Sequence, residues 1–288
     1  CNICLLSGAK IFFIKKFQTE TVIEYLPKST VMMGVPTFYT RLIESNKLNV
    51  QITKNIRVFI SGSAPLLSET HKEFERLTGH KILERYGMTE TNMNTSNPYD
   101  GERRAGTVGF PLPGIKIRIT DTEKNHKMAS EKIGMIEIKG ENVFEGYWKM
   151  SDKTKESFTD DGYFVTGDMG KFSSDGYLSI IGRNKDLIIS GGLNIYPKEI
   201  EVVIDGINNV KETAVIGVNH KDFGEAVVAV VVADREKVSE SSIMEIVQTK
   251  LAKFKQPKKI IFLNALPRNA MGKVQKQNLR DNYNKLFN

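Results

Sequence analysis

Four separated segments of this chain concentrate the residue types that chemistry on a nucleotide needs. Tyr86-Gly87-Met88-Thr89-Glu90-Thr91 sets a glycine turn before a hydroxyl and a carboxylate. A hydroxyl can hold a phosphate oxygen, and a neighbouring carboxylate can hold Mg²⁺, an ion that takes one or two protein carboxylates and completes its shell with substrate phosphates and water. The same residues also read as a helix N-terminus, with Thr89 as the cap and Glu90 in the first turn. Thr166-Gly167-Asp168 puts an acid just past an expected strand. There a carboxylate can accept hydrogen bonds from a ribose diol, although Gly-Asp is also common in ordinary turns.

The third segment runs from Ile181 to Pro197 and combines a charged stretch, Gly182-Arg183-Asn184-Lys185-Asp186, with a short apolar run and the turn Ser190-Gly191-Gly192. Paired glycines let the backbone approach a ligand closely, or simply close a hairpin, and Pro197 suits the first position of a helix. The fourth segment, Pro267 to Lys276, presents Lys273 on a loop just before a helix. A lysine there can offset charge developing in a transition state, or be an ordinary solvated cation. Each segment is ambiguous alone, whereas the order of hydroxyl-carboxylate, ribose acid, hinge and loop lysine is specific.

Three textures of sequence position these groups. Over residues 1–106, short apolar stretches at Ile11 to Ile14, Thr30 to Met33 and Val58 to Ile60 alternate with helix-like segments. This predicts a parallel α/β layer, with Ser61-Gly62-Ser63-Ala64-Pro65 as the turn after one strand. Over 107–183, alternating runs such as Ile115 to Ile119 and Met135 to Lys139 predict antiparallel β structure. From 184 to 288 the spacing predicts a small α+β domain: a helix from Pro197, strands at Thr213 to Val218 and Glu225 to Ala233, and a helix near Ser239 to Lys253. A strand at Lys259 to Leu263 and a helix near Val274 to Leu286 complete it. The boundary falls at Asn184 to Asp186, dividing 1–183 from 184–288.

Composition removes several classes. Forty-one Lys and Arg against 34 Asp and Glu give a net charge of +7, but the lysines are spread along the chain among acids, as on a solvated surface, so nucleic acid is not the expected partner. The longest apolar run, Ala226 to Ala233, is eight residues, far short of the roughly 18 to 20 of a membrane span. The two cysteines, Cys1 and Cys4, cannot staple a core of this size, and the four histidines are scattered. Reduced thiols and a cytoplasmic location follow as expectations. The chain opens on Cys and not Met, which predicts that it begins inside a longer reading frame.

Taken together, the four segments resemble the core motifs of the ATP-dependent adenylate-forming enzymes, the superfamily of acyl-CoA synthetases, luciferases and nonribosomal adenylation domains. They occur in the family's order, and the resemblance covers all 288 residues. Met33-Gly34-Val35-Pro36-Thr37-Phe38-Tyr39-Thr40-Arg41-Leu42 and the stretch from Glu84 to Tyr99 resemble the malonyl-CoA synthetase subgroup. A dicarboxylate needs a cation for its non-reacting end, and a guanidinium fork matches a carboxylate bidentately. Arg41 is the first candidate and Arg85 the second.

The resemblance implies a fold in which the partial large domain holds the α/β layer and a distorted antiparallel β-barrel, followed by a small mobile C-terminal domain. It implies ATP, Mg²⁺ and coenzyme A, with activation of malonate or methylmalonate to an acyl-adenylate and then transfer to the CoA thiol. By motif, Lys273 bridges the substrate carboxylate and the adenylate phosphate, Thr89 contacts phosphate and Glu90 binds Mg²⁺. Asp168 and Arg183 hold the ribose. Ser61 to Pro65 and Glu84-Arg85-Tyr86-Gly87-Met88 line the adenine pocket. Lys185 is the hinge about which the small domain swings, bringing Ser190, Gly191 and Gly192 to the pantetheine, with the Lys250 to Lys259 cluster a candidate for the CoA phosphates.

The family's phosphate-binding loop and the rest of its N-terminal subdomain are missing from this sequence, so weak ATP binding and a tendency to associate are expected of the chain alone. A ligase for another small acid, a domain that loads a carrier protein, and a non-catalytic nucleotide- or partner-binding remnant are the competing readings.

Overall fold

The computed structural model describes residues 2–121, 126–269 and 273–287. Cys1 and Ala270, Met271 and Gly272 of the lysine loop lie outside the described residues. The chain divides into two compact units, Cys1–Leu112 and Pro113–Asn288.

The first unit carries helices α1 (Asn2–Leu6) and α2 (Thr19–Tyr25), then β1 (Val31–Gly34), α3 (Pro36–Glu44), α4 (Val50–Thr53), β2 (Val58–Ser61), α5 (Ser68–Thr78), β3 (Leu83–Met88), β4 (Asn92–Ser96) and β5 (Phe110–Pro111). The sheet order is β1-β2-β3-β4-β5. Strands β1, β2 and β3 run parallel, β4 pairs antiparallel with β3, and β5 pairs antiparallel with β4. Pro36 starts α3, where its missing N–H costs nothing, and Gly79 ends α5 in the left-handed conformation at φ 74°. Both helices bury aromatic rings against β2: Tyr39, Phe59 and Phe74 meet edge to face with centroids 4.8 to 6.4 Å apart. Each such fully buried side chain stabilises the layer by about 1.5–3 kcal/mol.

The strand expected at Ile11 to Ile14 does not form. Among the described residues no strand pairs with that segment; Phe13 is exposed, and Ile14 reaches the core from irregular chain.

The second unit begins with β6 (Lys116–Thr120), β7 (Gly134–Lys139), α6 (Ser151–Glu156), β8 (Phe164–Phe172) and β9 (Leu178–Arg183). These strands form an antiparallel sheet in the order β6-β7-β8-β9. The barrel expected here is not present: β6 and β9 end the sheet without pairing with each other, and among the described residues no sheet closes on itself. Closure with a filled interior takes about eight strands with a consistent stagger. Four strands, bent by register shifts at Met135/Glu137 and Met169/Gly170, remain an open layer.

The rest of the unit is α+β: β10 (Ile188–Ser190), β11 (Leu193–Ile195), α7 (Pro197–Asp205), β12 (Val210–His220), β13 (Gly224–Ala233), α8 (Glu240–Lys250), β14 (Lys259–Phe262) and α9 (Lys276–Tyr283). The sheet order is β11-β10-β13-β12, with β14 parallel to β13. The long apolar run of β13 is explained by burial on both faces. Val227, Ala229 and Val231 point into a core shared with α7 and α8, while Val228, Val230 and Val232 share the other core with Leu279 of α9. Among the described residues no helix is long and apolar enough to cross a membrane.

Candidate active site

In the first unit a cleft of about 340 Å³ opens at the carboxyl ends of the three parallel strands, the end at which open α/β sheets bind ligands. Met33 and Gly34 come from β1, Ile60 from β2, Gly62 and Ser63 from the following turn, Arg85 and Gly87 from β3, and Met93 from β4, with Val35 and Phe38 from the start of α3. Gly34 of β1, Gly62 of the turn after β2 and Gly87 of β3 line the cleft without a side chain, so main chain is exposed to it at three points.

Arg85 is half-buried and lines the cleft. Arg41 does not: it is exposed on α3, its guanidinium 5.9 Å from the centroid of Phe17, and Phe17 stacks on the cleft residue Phe38. Ser61 is buried at the end of β2, and Ser63 turns with φ 69°, while Ala64 and Pro65 are exposed.

Tyr86-Gly87-Met88 belongs to β3, and Met88 to Asn92 is a strand-to-strand turn, so the helix N-terminus reading of Thr89 is replaced by a hairpin. A register shift between Tyr86 and Gly87 brings the two strands so close that a Cβ at Gly87 would press on the Asn92 carbonyl oxygen. That approach is why glycine stands there. The turn presents Thr89 exposed and Glu90 half-buried. Among the described residues no cluster of three or more His, Cys, Asp or Glu could hold a metal. A single carboxylate fits an ion of the Mg²⁺ type that draws its other ligands from phosphate and water.

Glu84 sits beneath the cleft with 6% of its surface exposed. Burial raises its carboxyl above the usual carboxylate range, opposed by His71, whose Nδ1 is 3.7 Å away, and by the backbone N–H groups of Gly106 and Leu66. Those contacts tie Leu66, which follows the Ser61–Pro65 turn, α5 and the 104–107 loop to one point. His71 was not singled out by sequence, because a lone histidine in an amphipathic helix carries no signal of what faces it.

In the second unit, Asp168 lies within β8 and not beyond it. Gly167 takes φ 72°, and the Asp168 N–H donates to Thr166 Oγ1 at 3.0 Å. Asp168 is 5% exposed, and its Oδ1 lies 2.7 Å from Nε of Arg183 on β9. Lys185 is exposed in a short turn over Asn184–Asp186. Gly191 and Gly192, at φ 57° and 77°, close the β10–β11 hairpin as the paired positive dihedrals of a type I′ turn require. Ser190 ends β10, and the Gly191 N–H donates to the Phe223 carbonyl at 2.8 Å. Lys273 is exposed, and its N–H donates to Asn269 Oδ1 at 2.9 Å while its carbonyl accepts from the Asn269 N–H at 3.0 Å.

Residues 1–148 match the model of the AMP-binding enzyme family, and residues 199–273 match the AMP-binding enzyme C-terminal domain. A malonate–CoA ligase of Arabidopsis thaliana is 40% identical over 271 residues, covering 87% of this chain and 44% of that protein. A mitochondrial malonate–CoA ligase of Bos taurus is 33% identical over 309 residues, covering 94% of this chain and 53% of that protein. The ATP-bound crystal structure of MatB from Rhodopseudomonas palustris aligns over the whole chain and 57% of its own length, with 53% identity and a TM-score of 0.97. The chain thus spans about half the length of the curated relatives it matches. With its cleft at the strand ends, the Tyr86–Glu90 hairpin and the Asp168–Arg183 pair, this chain belongs to the AMP-binding enzyme family.

Proposed function

We propose that this chain is the part of an AMP-forming acid–thiol ligase that activates a small dicarboxylate of the malonate type and passes it to coenzyme A. The observation that carries the reading is the cleft at the ends of β1, β2 and β3. It is lined by three glycines and by apolar side chains, and Arg85 is the guanidinium that lines it. One carboxylate of the substrate pairs with that fork, and the other remains free to attack the α-phosphorus of ATP, forming an acyl-adenylate and releasing pyrophosphate. The CoA sulfur then attacks the acyl carbon, the acyl–phosphate bond breaks, and AMP leaves.

On this reading Thr89 supplies a hydroxyl to phosphate, Asp168 and Arg183 hold the ribose hydroxyls, and Lys273 offsets the negative charge gathering as two anions meet. Glu90 is the residue that would hold Mg²⁺, and a bound magnesium ion lowers the charge on the phosphates. Lys185 divides 1–183 from a mobile domain of 184–288, and the turn at Ser190-Gly191-Gly192 faces the pantetheine in the second half-reaction. The cytoplasm, read from the reduced thiols, belongs to the same proposal, and fractionation of cells expressing the protein tests it against the mitochondrial address of the bovine relative.

The test is product analysis on the protein made from the longest reading frame that contains this chain. Malonate, ATP, Mg²⁺ and CoA should yield AMP and malonyl-CoA. Preference for acetate or a long-chain acid would overturn the dicarboxylate assignment. Transfer to a holo-carrier protein but not to CoA would favour the carrier-loading reading, and no AMP from any acid would favour a non-catalytic role.

A further inference from the structure

The lysine loop is clamped at its base from three sides. Arg268 pairs with Glu212 of β12, and Lys276 Nζ lies 2.5 Å from Glu201 Oε1 of α7. Arg280 Nη2 lies 2.7 Å from Asp186 Oδ1, beside the hinge candidate Lys185. The loop is also closed on itself by a bridge between Arg268 and Val274 and by the Gln275 N–H donating to the Pro267 carbonyl at 2.8 Å.

Two of these clamps lie within one folded body, since β12, α7 and α9 share the sheet and its cores. The third reaches back 94 residues to the charged turn. Its two side chains are 19% and 18% exposed, shielded enough for the charge-assisted hydrogen bond to outweigh screening. Leu279, next to Arg280, is anchored in the core beneath α9, so the guanidinium has a fixed base.

We propose that the Asp186–Arg280 pair is a strut that makes the charged turn, α9 and the lysine loop one rigid body. Any swing of the small domain then turns at or before Lys185, never between Asp186 and α9. Asp186 and Arg280 are therefore positioning residues for Lys273, acting through the helix that follows it. This rests on the adenylate-forming reading for its consequence, though not for its geometry.

The test uses the protein from the longest reading frame, with Cys1 and Cys4 replaced by Ser and Cys introduced as Asp186→Cys and Arg280→Cys. The two thiols are joined by a cleavable reagent about as long as an arginine side chain. Adenylate formation and thioester formation from supplied acyl-AMP should both survive linking, at no less than roughly half the rate seen after cleavage. Loss of either half-reaction on linking, recovered on cleavage, would overturn the strut, because the pair would have to open during the cycle.

A second arm needs no activity. In Asp186→Asn the amides of residues 273–283 should exchange with deuterium about tenfold faster, as expected for losing one charge-assisted hydrogen bond, while β13 stays unchanged and Arg280→Lys is intermediate. Unchanged exchange over 273–283, or equal acceleration in β13, would sink the proposal. If the protein with both residues unaltered makes no adenylate at all, the ligase reading fails and this second arm alone decides the strut.

Discussion

Asp168 and Arg183 stand directly opposite each other in the β8–β9 ladder, and their side chains close a 2.7 Å ion pair across it. Fifteen positions of chain separate them, yet register makes them neighbours: one buried acid, one half-exposed base.

That pairing separates charge from shape. Arg183→Lys keeps the positive charge and loses the fork, so the KM for ATP should rise about tenfold, worth about 1.4 kcal/mol, with kcat for the supplied acyl-adenylate nearly unchanged. Steady-state kinetics of both half-reactions would check this, and an unaltered KM would remove the pair from nucleotide binding.

The two candidate arginines give opposite expectations. Arg85→Lys should raise the KM for malonate by at least roughly tenfold, the cost of replacing a bidentate contact with a point charge. Arg41→Lys should leave it near the wild-type value, because Arg41 lies beyond Phe17 and Phe38 from the cleft. The reverse ranking would place the dicarboxylate elsewhere.

Lys273 is exposed, so removing its ammonium should cost function and not fold. Lys273→Ala should lower adenylate formation by roughly 10²-fold or more, the scale of losing one transition-state donor, while thioester formation from supplied acyl-AMP and the melting temperature hold. Equal losses in both half-reactions would refute a lysine that serves only the first.

A buried acid gives a pH-dependent stability with a definite sign. Burial raises the Asp205 carboxyl to about 7, opposed by Lys198 and the nearby Thr213 hydroxyl and reinforced by Glu201 and Glu212. Its folded value therefore exceeds its ordinary 3.8, so the native state is favoured by protonation. That contribution is complete below about pH 4 and is lost as the pH rises through 7. The displacement bounds the effect at about 4 kcal/mol, and partial solvation reduces it to roughly 1–2 kcal/mol. Asp205→Asn should be the more stable protein above pH 7 and show no such gain at pH 4, as read by urea unfolding across that range.

Gly87 tests how tightly the hairpin is built. Gly87→Ala forces a methyl group onto the Asn92 carbonyl, and the strands must part to admit it. Destabilisation of about 2–4 kcal/mol is expected, together with displacement of Thr89 and Glu90, measured by denaturant unfolding and by loss of ATP binding. A neutral substitution would mean that the hairpin opens freely.

Much of this was legible in the residues. Alternation located β6 and β7, Pro197 located α7, and the glycine pair located the β10–β11 turn, because each is a local signal. Ile11 to Ile14 misled for the same reason: four apolar residues look alike whether or not a neighbouring strand accepts them. Sheet closure is set by the pairing of distant edges, which no periodicity records, and so the barrel was expected where an open layer stands. Thr89 before Glu90 suits a helix cap as well as a hairpin, and only the close approach at Gly87 decides between them. The placement of Arg41 outside the cleft turns on the Phe17–Phe38 stack, a contact spanning 21 positions. The clamps on the lysine loop joined residues that nothing in their own neighbourhoods marks.

Because glycine main chain meets the cleft at three points and Met33, Val35, Phe38 and Met93 line the rest with apolar side chains, its shape can be retuned by a few side-chain exchanges. Thioethers adapt readily to new outlines. Under the proposed function, exchanges at these four positions change which acid fits while leaving the Asp168–Arg183 pair of the second unit untouched.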